Sequence, residues 1–223
     1  KEVVEQTSNQ IKTYPYKTPE YSIENGTTIL DTAEGEIPLE IFGEHNLQNL
    51  EGARSICFHL GISEEEFYEA IADFKGASKR LEKIAENKQT VVFKDFAHSP
   101  SKVEATTRAV KEQYVNRKLL ACLELHTYSS LNEDFLKEYV GTLDKADEAV
   151  VFYSPHAVKI KRLKEVSEQQ IAKAFKRDDL VIYTDPKEFK DFLFSQDLAN
   201  TALLLMSSGN YGGLDFDEVK NLL

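Results

Sequence analysis

No apolar run in this 223-residue chain approaches membrane-spanning length; Thr201–Met206 and Ala149–Tyr153 are strand-sized. No signal-peptide pattern stands at the start. Basic residues are in deficit, with Lys+Arg 27 against Asp+Glu 38 and a net charge of -11. That argues against a nucleic-acid binder, because neutralising phosphates needs a basic face. Local basic groups can still hold a nucleotide. Cysteine is scarce: Cys57 and Cys122 sit in apolar stretches and read as two reduced core thiols. No spacing matches a zinc site, and no serine nucleophile elbow or Gly-x-x-x-x-Gly-Lys-Ser/Thr phosphate loop occurs. A reducing, cytoplasmic setting is the expectation. The chain begins on Lys1 without an initiator Met, which suggests a fragment or a processed product.

What is present divides in two. The apolar fraction of 41% supports real cores, in one large domain or two small ones. In the first segment, residues 1–87, a short helix is expected over Lys1–Lys12. Two strands are expected around Asn25-Gly26, the strongest short hairpin signal. Glu36–Phe42 alternates apolar and polar residues, with Pro38 favouring an edge. A helix follows Gly43 and runs to about Gly61, with Leu50, Ala53, Cys57 and Leu60 on one face. Ser63 with Glu66 is a capping box for the next helix, which has Phe67, Ile71 and Phe74 as its stripe. The polar stretch Ala85–Gln89 is the candidate domain boundary.

In residues 88–223, strands and helices alternate. Strands are expected at Thr90–Lys94, Lys118–Leu125, Ala149–Ser154, Leu180–Tyr183 and Thr201–Ser207. Helices are expected at about Ser101–Tyr114, Leu131–Leu143, Ser167–Phe175 and Pro186–Phe194, with a last one from about Leu214. Ser101 with Glu104 and Ser167 with Gln170 read as capping boxes, and Pro186 suits a first helical turn. The pattern is that of an α/β domain with a mostly parallel, Rossmann-like sheet covered on both faces.

Such a sheet binds its ligand beyond the carboxyl ends of the strands. Those exits carry Asp95, His98 and Pro100; Glu124 and His126 to Ser130; Ser154 to His156; and Ser207 to Gly213. The Gly209–Gly213 loop would let backbone N–H groups approach an anion at a helix N-terminus, or it is only a tight turn. Asp95 reads as a ligand contact or as a loop cap. His98 can equally bond only backbone, and His126 and His156 read first as structural. Asn46 suits an N-cap. But His45, Asn46 and Asn49 fall within one turn beside Gly43, which suits a planar base or ribose. Arg80 is a solvated member of a Lys-Arg pair or a fork for phosphate. The residues alone reach a nucleotide- or anion-binding α/β domain with a smaller partner.

Four motifs then resemble those of the Mur ligase family. They are Gly43-Glu44-His45-Asn46-Leu47-Gln48-Asn49, the Lys79-Arg80-Leu81-Glu82 stretch, Asp95-Phe96-Ala97-His98-Ser99-Pro100, and Met206–Gly213. They occur in family order over nearly the whole chain. The last loop and the Phe after Asp95 look most like the members that attach a murein tripeptide, with the alanine-adding members the close alternative. A non-catalytic nucleotide- or peptide-binding module is the rival from another class.

The resemblance implies an ATP-dependent ligase that joins L-Ala-γ-D-Glu-meso-diaminopimelate to UDP-N-acetylmuramate through an acyl phosphate, with Mg²⁺, in peptidoglycan recycling in the bacterial cytoplasm. Residues 1–87 would end the central ATPase domain, and 88–223 would form the C-terminal Rossmann-like ligase domain. The phosphate loop and metal ligands would lie outside this chain, leaving no metal ligand within it. His45, Asn46, Asn49, Arg80 and Asp95 would contact ATP. Arg80 and His98 would be catalytic. His98, Ser129, Ser208, Gly209, Asn210 and Tyr211 would face the peptide. Ser99 departs from the family's second His, and Leu125–Asn132 lacks the family's usual Arg.

Overall fold

The computed structural model describes residues 12–223, so the helix expected over Lys1–Lys12 lies almost wholly outside them. The first unit is an antiparallel sheet of β1 (Tyr21–Glu24), β2 (Thr27–Thr32) and β3 (Gly35–Leu39), in that order. Asn25 and Gly26 both take positive φ, 50° and 79°, as a two-residue hairpin requires. Pro38 lies on the edge strand β3 and stands opposite Ile29. Helices α1 (Glu44–His59) and α2 (Glu64–Ala72) pack on this sheet through Leu47, Leu50 and Phe67, against Leu30, Leu39 and Ile41. The Ser63–Glu66 capping box forms. The long apolar face expected of α1 does not. Ala53 is exposed, and Ile56, Phe58 and Leu60 are 64%, 65% and 75% exposed. Of the expected face, Leu50 and Cys57 reach that core, while the small sheet and α2 leave Ala53 and Leu60 uncovered.

The second unit is a six-stranded sheet in the order β4-β5-β9-β6-β7-β8. Its strands are β4 (Glu82–Glu86), β5 (Thr90–Asp95), β6 (Lys118–Glu124), β7 (Glu148–Phe152), β8 (Val181–Tyr183) and β9 (Thr201–Met206). All are parallel except β4, which pairs antiparallel with β5. Strand β4 escapes a reading by pattern because it is a charged edge, a composition that blunts edge pairing. The polar turn around 87–89 therefore sits inside the β4–β5 hairpin. There the Asn87 side chain accepts from the Gln89 and Thr90 amides, both at 2.8 Å.

Side chains alternate between two cores, as the strand period demands. Val91, Phe93, Leu119, Ala121, Leu123, Val151, Leu204 and Met206 face α3 (Pro100–Gln113), α4 (Glu133–Leu136), α5 (Pro155–Ile160) and α6 (Glu168–Phe175). Val92, Leu120, Cys122, Val150, Phe152, Leu203 and Leu205 face α7 (Pro186–Ser195) and α8 (Phe216–Lys220). The chain walks from β5 to β8 with helices on one face. It returns through α7 on the other face and inserts β9 between β5 and β6, as right-handed crossovers require.

Three helix readings change. Helix α3 starts at Pro100 with Ser99 as N-cap, not at Ser101, because Pro presets φ and lacks the N–H that a first-turn position leaves unpaired. The Ser101–Glu104 box is therefore not its start. The helix expected over Leu131–Leu143 is cut to α4 plus a 3-10 turn at Lys137–Tyr139, and Gly141 at φ 76° turns the chain away. Helix α5 is unanticipated; the Ser154 hydroxyl caps it and Pro155 opens it.

The two units are tied together at α3. Thr28 Oγ1 donates to Gln113 Oε1 at 3.0 Å, and Gln113 Nε2 donates to the Gly26 carbonyl at 2.6 Å. Arg108 pairs with Glu44 at 3.0 Å. Phe42 meets Phe93 and Tyr114 edge-on. A cleft of about 1160 Å³ remains between the β1–β2 hairpin, the 75–83 segment and the end of α3.

Candidate nucleotide and amine site

Strands β5, β9 and β6 end side by side, and the loop after β9 leaves toward α8 while its neighbours leave toward α3 and α4. Ligand crevices of doubly wound sheets open at such points. Two clusters occupy it.

The first surrounds Asp95, which is buried. Asp95 Oδ2 accepts from the Leu81 amide and Oδ1 from the Ala97 amide, both at 2.6 Å. The Phe96 amide donates to the Lys79 carbonyl at 2.8 Å. These bonds clamp the 79–81 turn, in which Lys79 and Leu81 both hold left-handed φ, 58° and 45°. Non-glycine residues pay strain there and keep it only when neighbours over-determine it. The product of the clamp is Arg80, exposed, with its guanidinium 5.5 Å from the Phe96 ring centroid. Among the described residues Arg80 makes no ion pair. Burial raises the Asp95 carboxyl above its ordinary range, while the two amides, His45 and Arg80 pull it back. The charges of His45, Arg80 and Asp95 thus act on one another.

His45 lies in the first turn of α1, whose N-cap is Gly43 at φ 88°, not Asn46. Asn46 donates its amide to the Phe42 carbonyl at 2.9 Å, which fixes its side chain; Asn49 is exposed. A Cβ at Gly43 would lie 2.7 Å from the Ala109 Cβ. Gly43→Ala should therefore cost about 2–4 kcal/mol, from close contact plus backbone strain; a denaturant melt reads it. Burial lowers the His45 pKa below its usual 6.5, more than Asp95 raises it. The unfolded chain then takes up a proton first as pH falls. Stability that is complete above pH 6.5 should decline as pH falls through the lower folded pKa, and His45→Gln should flatten that decline. Melts between pH 5 and 8 check the sign.

The second cluster surrounds Glu124, buried at the end of β6. Its Oε2 accepts from the Ser207 hydroxyl and from the Tyr211 amide at 2.8 Å. Its Oε1 lies 3.4 Å from His126 Nδ1. Ser207 also joins the two clusters, because its amide donates to the Asp95 carbonyl at 2.9 Å. This changes the reading of the Gly209–Gly213 loop. Gly209 donates to Ser207 Oγ, Tyr211 to Glu124, and Gly213 to the Asn210 carbonyl. One of these amides, that of Tyr211, meets an anion, and it is the chain's own Glu124 carboxylate. Helix α8 has five residues and Asp215 caps it, so its N-terminus is already served.

Tyr211 does not face a substrate. It is 1% exposed, stacks on Phe189 at 4.8 Å, and places its hydroxyl against the Cys122 and Met206 carbonyls. Residues around the sheet core outcompete the polar loop for so large a ring. Asn210 and Ser129 are exposed, and Ser208 is half-buried with an unpartnered hydroxyl. His98 is half-buried, with Nδ1 on the Phe96 carbonyl at 2.8 Å. Among the described residues no group of three or more His, Cys, Asp or Glu could hold a metal ion, and no helix is long and apolar enough to cross a membrane.

Residues 79–209, more than half of the chain, match the family model described as Mur ligase, glutamate ligase domain. The chain belongs to the Mur ligase family. UDP-N-acetylmuramate–L-alanine ligase of Caldicellulosiruptor saccharolyticus is 34% identical over 141 residues, 63% of this chain and 30% of that protein. The crystal structure of UDP-N-acetylmuramate-alanine ligase from Thermotoga maritima superposes with a TM-score of 0.66 at 18% identity, over 91% of this chain and 43% of that one. The MurF ligase of Thermotoga maritima, solved with ADP, gives 0.58 at 17% identity, over 85% and 42%. The chain thus spans well under half the length of these relatives.

In this Mur ligase domain the structure brings Asp95, Arg80 and His45 together on one side of β9. Ser208 and Gly209 stand with Glu124 and His126 on the other. The sequence placed Glu124 at a strand exit but gave it no role. Its signal was an acid ending the otherwise apolar Leu119–Leu125 run. A Cβ at Gly209 would lie 2.9 Å from Glu124 Oε2 and 3.1 Å from the His126 ring. Gly209→Ala should therefore push the loop off Glu124 and cost about 1–3 kcal/mol, again read by a melt.

Proposed function

We propose that this chain is part of an ATP-dependent ligase that activates the muramate carboxylate of a UDP-muramoyl substrate as an acyl phosphate and couples it to an amine. The observation that carries this reading is the clamp on the 79–81 turn. Asp95 and Phe96 hold a strained backbone that buries Leu81 in the main core and leaves Arg80 outward beside the His45–Asn49 helix start. A guanidinium fixed there suits the charge of a transferring phosphoryl group, and phosphoryl transfer depends mainly on positioning and charge stabilisation. His45, Asn46 and Asn49 would take the adenine or ribose. The Asp95 oxygens both accept backbone amides, so Asp95 would serve the nucleotide chiefly through the turn that it holds. His98 would lie between the nucleotide and the incoming amine, with Ser129, Ser208, Gly209 and Asn210 on the amine side. Mg²⁺ would be held by groups outside these residues, since no cluster here suits it.

The amine proposed is the tripeptide L-Ala-γ-D-Glu-meso-diaminopimelate, within peptidoglycan recycling in the bacterial cytoplasm. Phe96 and the Ser207–Gly213 loop favour it. L-Alanine is the second reading, favoured by the name of the relative at 34% identity. The test is ligation to UDP-N-acetylmuramate by the full-length gene product, with L-alanine and tripeptide in competition. Consumption of ATP with tripeptide alone supports the first reading and with L-alanine alone the second; neither would refute the ligase. We place the division between the ATPase and ligase domains ahead of β4, at about 73–81, instead of at 87–88, since β4 belongs to the second sheet. The hinge would then carry Arg80. The chain alone should bind ATP weakly and be inactive; tight binding by calorimetry would contradict this.

A further inference from the structure

Glu124 and His126 are not used in the nucleotide reading, yet Glu124 is only 3% exposed. Its Oε2 takes the Ser207 hydroxyl and the Tyr211 amide, both donors. Its Oε1 lies 3.4 Å from His126 Nδ1, an ion-pair contact of the loose kind that catalytic pairs often show without substrate. A carboxylate only accepts, so a hydrogen bond across this contact would put the proton on Nδ1 and leave the lone pair on Nε2. The His126 side chain is 42% exposed at the carboxyl edge of the sheet, one strand from Asp95. Tyr211, its phenol pushed well above 10 by burial, stands beside Glu124, with Cys122 and Asp95 also acting on it. The Tyr211 hydroxyl is held by two carbonyls, Cys122 is buried, and both Asp95 oxygens already accept backbone amides.

We propose that His126, oriented by Glu124, is the base that deprotonates the incoming amine. The inference rests on the ligase reading above. A primary amine is mostly ammonium at pH 7 and has no lone pair to attack with. It would give one proton to His126 Nε2. Its lone pair would then form the N–C bond to the acyl carbon as the C–O bond to phosphate breaks, and phosphate would leave with the bonding pair. The second nitrogen proton goes to the departing phosphate. Glu124 is a positioning residue: its charge offsets the imidazolium and sets the tautomer, as orienting carboxylates do elsewhere.

The test uses the full-length enzyme with UDP-N-acetylmuramate, ATP and either the amine substrate or hydroxylamine, which is already neutral at pH 7. His126→Ala, at a half-exposed site, should lower amide-forming kcat about 10²–10³-fold at pH 7. The deficit should shrink as pH rises past the pKa of the amine, and hydroxylamine trapping of the acyl phosphate should persist. Glu124→Gln should also lose rate. Its oxygen must serve Ser207 and Tyr211, so its NH₂ would face Nδ1 and force the proton onto Nε2. A wild-type pH profile and rate in His126→Ala would overturn the proposal, as would an equal loss of hydroxylamine trapping. Wild-type enzyme that forms no acyl phosphate would instead sink the ligase reading, and this inference with it.

Discussion

Arg80→Ala in the full-length ligase is expected to lower kcat for ATP-dependent ligation about 10²–10³-fold, the loss typical when one preorganised donor to developing charge is removed. The expectation follows from how the side chain is held. Arg80 sits between two left-handed residues, Lys79 and Leu81, in a turn that one side-chain bond from Asp95 to the Leu81 amide and one backbone bond from Phe96 to Lys79 keep in place. Its guanidinium rests over Phe96 and pairs with no carboxylate among the described residues. Burial of Leu81 in the core accounts for part of the strain, but among the described residues no carboxylate answers the Arg80 charge, and an anionic ligand would. Arg80→Lys should recover only part of the loss, because an ammonium keeps the charge and loses the planar fork. The fold should not notice either change, since the side chain is exposed. Unchanged kcat in Arg80→Ala, measured at saturating ATP, would remove Arg80 from the mechanism.

Asp95→Ala should be the most damaging single substitution, costing about 2–5 kcal/mol of stability. It leaves the Leu81 and Ala97 amides buried without an acceptor, each worth roughly 1–3 kcal/mol. It should also lower ligation to about the level of Arg80→Ala, because the turn is then free to leave its strained conformation. If so, the double variant should be no slower than the worse single one, the non-additivity expected of residues that act as a unit. Asp95→Asn separates the two effects. One oxygen still accepts from an amide, while the new NH₂ opposes the other, so stability should fall by less. Additive losses in the double variant would mean that Asp95 touches the nucleotide itself, independently of Arg80. Denaturant melts and initial rates on the same four proteins supply both comparisons.

Much of the second unit was legible in the sequence because it is written in short-range terms. Thr90–Lys94, Lys118–Leu125 and Thr201–Ser207 are continuous apolar runs of strand length, which suits strands buried on both faces. The Ser167–Gln170 box and Asp185-Pro186 place two helix starts to the residue. The Asn25-Gly26 hairpin was equally local. Helix α1 misled because a helical apolar period says only that a face exists. It does not say whether a neighbour is long enough to cover it. Strand β4 was invisible because an edge strand is charged by design and looks like a polar linker.

The candidate site divides in the same way. By itself the sequence determined the parallel α/β architecture, the clustering of Asp95, Glu124 and Ser207 at one sheet edge, and the family to which the motifs point. Strand period and crossover rules act over a few residues, and they send every parallel strand's exit to the same side. Only the tertiary structure decided what each side chain does there. It turned Tyr211 into the core, gave both Asp95 oxygens to backbone amides, and set Glu124 in the loop where an external anion was expected. Those outcomes depend on which groups from distant segments are left without a partner once the core closes. A buried donor must find an acceptor wherever the fold brings one, and the pairing of Leu81 with Asp95 or of Tyr211 with Glu124 has no short-range signature.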